Sequence, residues 1–275
     1  MLQAGTQMTP WILNVLFAAG LALTAGGLVG AAIMAWSEYR DRRVLRGIAV
    51  SVAGGLDDPG ARLAALNAWV YRNQGFAPNR RHFGWARLGP TPIQVLRHGG
   101  DCANKSRLLS AMLETMGMKS SLAMLYPHPG AMPVHTVVLA ELGGVKTLAD
   151  PVFDITFPGP GSGYVAVQDL VRDPRYLSER LRTLRAERGP QDKIMLYRED
   201  NHRLDHVTTI NWRASRLTRC LAVLVRAVGA EPRYVMRPMF LENPKRALTY
   251  AALAVSLVGA LVTLAVSWVQ GNLPS

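Results

Sequence analysis

Cysteine is scarce. The chain has two, Cys102 and Cys220, in 275 residues, which excludes a small scaffold held by several disulfides. There is no CxxC pair, HExxH stretch or Gly-rich phosphate loop, so a metal or nucleotide cofactor has no support and none is expected. No internal repeat is evident. Acidic residues are in deficit, 19 Asp and Glu against 31 Lys and Arg, for a net charge of +12. That excess invites a nucleic-acid partner, yet no recognised nucleic-acid-binding motif accompanies it. Part of it is a set of arginines beside two apolar stretches, where topology and anionic lipid explain it. The expectation is a basic face on the inner leaflet and no nucleic acid.

Charge is missing altogether from Trp11–Trp36 and Leu248–Val269. Each stretch is long enough to cross a bilayer and has no polar face. Trp11 and Trp36 mark the ends of the first, and Tyr250 and Trp268 lie near those of the second, as expected at membrane interfaces. The first does not read as a cleaved signal. No basic residue precedes it, its apolar run is too long, and no small-residue cleavage site precedes the arginines. Gly26 and Gly30 form a small-xxx-small spacing that would let two spans pack closely; the alternative is two ordinary glycines in a membrane helix. Arg40, Arg42, Arg43 and Arg46 follow the first stretch, and Arg233, Arg237, Lys245 and Arg246 precede the second. The outer flanks carry no charged side chain. The positive-inside rule predicts an inner (cytoplasmic) membrane protein with its central domain in the cytoplasm and both termini outside. The organisation expected is a transmembrane helix at 11–36, a juxtamembrane linker at 37–60 and a core at 61–160. A helical extension at 161–246 and a second span at 248–269 complete it.

Within the core, Leu108, Leu109, Met112, Leu113 and Met116 recur at helical spacing after Cys102. Asp101 is a good N-cap, so Cys102 falls in the first turn, where unpaired N–H groups and the helix dipole favour a thiolate. Ser121–Tyr126, His135–Leu142 and Val145–Ala149 read as strands. Gly143-Gly144 between the last two is a hairpin turn signal. Counting outward from it sets Val137 opposite Asp150, with His135 a diagonal neighbour of Asp150 on the same face. A nucleophile, a base and an orienting carboxylate then converge. His128 is a rival base, but it lies in a loop without a paired carboxylate.

The run Gly100-Asp101-Cys102 through Gly117, then His135-Thr-Val-Val, then Leu148-Ala-Asp150-Pro151, resembles the core of the transglutaminase-like superfamily. The likeness is nearest to its bacterial transglutaminase-like cysteine peptidase branch. Trp69-Val70 and Thr91-Pro92 through Leu96 resemble that family's run-in to the cysteine. The resemblance covers residues 60–160. It implies an α+β fold, a papain/transglutaminase-like core in which the Cys-bearing helix packs on an antiparallel sheet, here flanked by two transmembrane helices. It also implies a catalytic Cys102, His135 and Asp150 and a peptide or protein substrate with amide groups, for hydrolysis or acyl transfer. The second oxyanion donor, beside the Cys102 N–H, is left open between Gln94 and Trp85. A catalytically inactive scaffold in a membrane assembly, with a membrane-protein partner, is the alternative.

Elsewhere, Ala61–Gln74 reads as an amphipathic helix and Asn79–Pro90 as a basic, aromatic surface loop. Arg172–Arg188 is expected to be an exposed helix. Trp212–Gly229 is expected to be a helix with Leu217, Leu221, Leu224 and Val225 on its apolar side and Arg213, Arg216 and Arg219 on a basic face. Cys220 reads as a core residue.

Overall fold

The computed structural model describes residues 10–76, 83–84, 88–128, 131–160, 163–200, 202–204, 207–213, 215–238, 240 and 242–272. The chain divides into two compact units. One is built from the two ends, through Arg40 and from Pro244; the other is Asp41–Asn243.

In the terminal unit, α1 (Pro10–Ala53) and α8 (Pro244–Gly271) are long and apolar enough to cross a membrane. Their contacts run antiparallel, from Gln270 donating to Asn14 (3.0 Å) to Arg246 on Glu38 (2.8 Å). Glycine permits the close approach. A Cβ on Gly259 would lie 2.6 Å from the Gly20 carbonyl, and one on Gly27 would lie 2.6 Å from that of Ala252. The contact therefore uses Gly20, Gly27 and Gly259, whereas Gly26 faces open space. Of the 26/30 pair only Gly30 meets α8, where a Cβ would lie 3.7 Å from that of Ala252.

The central unit is α+β. Its antiparallel sheet has the order β1 (Ser120–Leu125), β2 (His135–Leu142), β3 (Val145–Asp150), β4 (Ile155–Thr156). Gly143 and Gly144 close the β2–β3 hairpin with φ of 56° and 88°, the left-handed pair a two-residue turn needs, and Leu142 pairs with Val145. The run Val137-Val-Leu-Ala140 does not alternate because both sheet faces are covered. Val138 and Ala140 join one core with α2 (Pro59–Arg72), α3 (Pro92–His98) and α4 (Cys102–Thr115). Val137 and Leu139 join another with α5 (Val167–Arg172), α6 (Arg175–Arg188), Tyr197 and Leu204.

Four expectations are revised. Residues 37–53 are not linker: α1 continues to Ala53, and Leu45, Ala49 and Ala53 form a stripe buried in the central core. Helix α6 is half-buried, with Leu177, Leu181 and Leu184 in the core. The helix expected from Trp212 begins at Arg216, because Ser215 and Thr218 form a capping box; it is α7 (Arg216–Ala227). Cys220 on α7 is exposed, since the apolar side of that helix is turned to solvent.

Candidate active site

Two successive helix starts deliver Cys102. Thr91 and Gln94 form a capping box on α3, which ends at Gly99 in a left-handed turn (φ 72°). Gly100 follows, tight against Asn104. The Asp101 carboxylate then accepts from the Asn104 N–H at 2.9 Å, and α4 begins at Cys102. The first turn of α4 begins at Cys102, where backbone N–H groups have no partner within the helix. Two further side chains fix α4. Ser106 donates to the Thr136 carbonyl, beside His135, at 2.9 Å. Lys105, 2% exposed, donates to the carbonyls of Val70, Tyr71, Asn73 and Gln74 at 2.8–3.2 Å, closing the C-terminal end of α2. Burial, with a smaller contribution from Lys193, lowers the Lys105 ammonium to about 8.

His135 opens β2 and Asp150 closes β3. The imidazole Nε2–H donates to Asp150 Oδ2 at 2.7 Å, and both side chains are buried. The other carboxylate oxygen accepts from the Val152 and Phe153 N–H groups at 2.8 and 3.3 Å. The turn after β3 thus holds the carboxylate while the carboxylate holds the ring. Cys102 is near enough to His135 to help raise it, and with Nε2 engaged by Asp150, Nδ1 is the nitrogen left to the sulfur. Burial opposes charging of His135. The charge and hydrogen bond of Asp150, with Cys102 adding, outweigh burial and push the ring up to about 10. His135 is therefore an imidazolium at neutral pH.

An aromatic roof covers this pair. The His202 ring stacks on His135 at 4.6 Å and 26°, and Phe153 meets His135 edge-on at 5.7 Å. Tyr197 stands edge-on to both Phe153 and His202, at 5.0 and 4.7 Å. Burial, then the neighbouring His135 charge, lower His202 to about 4 despite Asp150 and Asp200, so it is neutral over His135. Its Nδ1 is buried without a hydrogen-bond partner among the described residues. Sequence reasoning missed Phe153, Tyr197 and His202. Phe153 follows Asp150 by three residues, a proximity that marks it; no local pattern marks the other two.

His128 and Gln94 are the remaining candidates among the described residues. His128 is exposed on the loop before β2. The Gln94 side-chain oxygen accepts from the Thr91 N–H at 2.8 Å, a bond that orients the amide and does not use its Nε2 donor. Trp85, with Arg80, Arg81, His82 and Arg87, lies outside the described residues. Among the described residues no group of three or more His, Cys, Asp or Glu is placed to hold a metal ion.

No protein-family model matches the chain, and no curated protein matches it. One solved structure does, a "putative cysteine protease" from Cytophaga hutchinsonii, at 16% identity and a TM-score of 0.34. The match covers 40% of this chain and 37% of that one, so the chain spans little more than a third of its length. A likeness of that degree carries no fold assignment.

Proposed function

We propose that the protein is a membrane-anchored thiol enzyme that cleaves or transfers amide acyl groups through Cys102, His135 and Asp150. The observation that carries this reading is the buried His135–Asp150 pair at 2.7 Å with Cys102 close enough to help raise the same ring. A cation beside a sulfur at a helix N-terminus is the environment in which a thiolate forms. The Cys102 sulfur attacks the amide carbonyl, the oxyanion is held by N–H groups of the α4 first turn, and the His135 imidazolium gives its proton to the departing amine. The resulting thioester is opened by water, deprotonated by the now neutral His135, which returns an acid and the free enzyme. An amine in place of water gives a new amide. The order of helix, second strand and third strand fits the transglutaminase-like core that the sequence resembles, and the peptidase branch of that resemblance favours hydrolysis. The apolar α1 and α8 with their flanking arginines favour an inner-membrane anchor, a cytoplasmic central unit and outward termini.

The test is alkylation of Cys102 by iodoacetamide near neutral pH, in a Cys220→Ser background, with N-acetylcysteine as reference. The expected rate exceeds the reference at least about tenfold and falls to it in His135→Ala. A wild-type rate equal to the reference, unaltered by His135→Ala, would remove the activated nucleophile.

A further inference from the structure

Helix α7 is an orphan in its own unit. Of its residues only Ala222 is buried. Leu217, Leu221, Leu224 and Val228, spaced four, three and four apart, form one stripe along the helix and its C-cap. All four are exposed, Leu217 at 69% and Leu224 at 62%. A helix of about three turns is marginal in water unless an apolar face is packed. The Ser215–Thr218 capping box satisfies the first turn, but a cap does not cover the leucines.

We infer that α7 lies in the headgroup layer of an anionic phospholipid bilayer, with the Leu217–Leu221–Leu224–Val228 stripe turned into the acyl boundary. Three observations select this occupant. The charged residues of α7 are Arg216, Arg219 and Arg226, with no acidic side chain among them. They fall on the flank away from the leucine stripe, where phosphates would meet guanidinium groups. The stripe is wholly aliphatic and carries no hydrogen-bonding group, which suits a fluid acyl surface that offers none. The chain also tethers it. Fifteen residues separate Val228 from Pro244, where α8 begins, and even fully extended the sixteen Cα–Cα steps reach only about 55 Å. If α8 spans a bilayer, α7 cannot leave its vicinity. The inference rests on the membrane anchoring proposed above and is independent of the thiol chemistry.

The experiment uses the full chain in a Cys102→Ser, Cys220→Ser background, reconstituted into phosphatidylcholine vesicles with and without phosphatidylglycerol. Nitroxide labels are placed singly by Leu217→Cys, Leu224→Cys, Arg219→Cys and, as a control in α8, Leu257→Cys. Collision with oxygen reports lipid and collision with an aqueous nickel chelate reports water. The labels at 217 and 224 are expected to favour oxygen several-fold in phosphatidylglycerol vesicles, while the label at 219 favours nickel. Nickel access at 217 and 224 overturns the inference. So does exclusion of both reagents, which would indicate a second copy or another protein over the stripe. A lipid signal at 217 and 224 that is unchanged without phosphatidylglycerol overturns the anionic assignment. The control separates the two layers of argument. Lipid at 257 with water at 224 defeats α7 docking and leaves the anchor intact, whereas water at both defeats both.

Discussion

His135 and His202 lie ring on ring yet shift in opposite directions, one up to about 10 and the other down to about 4. The stability contributed by the His135 proton is complete below pH 6.5 and is lost as pH rises toward 10. His202 is held neutral in the fold, so its contribution is complete above pH 6.5 and is lost as pH falls toward 4. Both are intact only near pH 6.5. His202→Phe keeps a ring over His135 and removes the acid-side proton. Urea denaturation at pH 6.5 and pH 4.5 is expected to show a smaller loss of stability in the variant than in the wild type, by about 1 kcal/mol once partial exposure is allowed for. Asp150→Asn removes the charge that outweighs burial at His135. The Cys102 alkylation rate at neutral pH is then expected to fall toward the N-acetylcysteine reference, a loss no larger than that in His135→Ala. A rate unchanged in Asp150→Asn would show that Asp150 does not govern the ring.

At the scale of elements, α4 is the piece on which the site depends, and Lys105 fastens it. Its ammonium serves four carbonyls at the end of α2, and no carboxylate is among its named partners. Lys105→Met leaves those carbonyls without their donor in a buried setting. Urea denaturation is expected to show a loss of about 3 kcal/mol, and alkylation of Cys102 is expected to slow as the start of α4 loosens. The elements that carry the three candidate side chains were legible in the sequence because each signal is local. Asp101 caps, Gly143-Gly144 turns, and the leucines of α4 repeat. The roof was not legible: Tyr197 and His202 come from irregular chain roughly 50 residues beyond Asp150, with no periodicity to announce them. The stripe Leu45–Ala49–Ala53 was hidden among arginines and glycines that read as linker. For α7 the periodicity gave the apolar face correctly, but periodicity says which side is apolar and not whether anything covers it. Cys220 was assigned to a core for that reason.

For the whole molecule, if α1 and α8 span a membrane, Arg40, Arg42, Arg43 and Arg46 within α1 and the basic residues before α8 predict a cytoplasmic central unit. Protease added to sealed spheroplasts is expected to leave the central unit intact, and the same protease added to inverted vesicles to degrade it. The opposite pattern would place the thiol outside the cytoplasm, where free cysteines oxidise. The chain also has a temporal order. Cys102, His135 and Asp150 leave the ribosome within roughly 50 residues of one another, and N-terminal segments fold first during synthesis. Tyr197 and His202 follow later, and α8 last. A nascent chain arrested before Tyr197 would carry Cys102, His135, Asp150 and Phe153 but neither Tyr197 nor His202, so the cover over His135 is completed only by chain made after the three candidate residues.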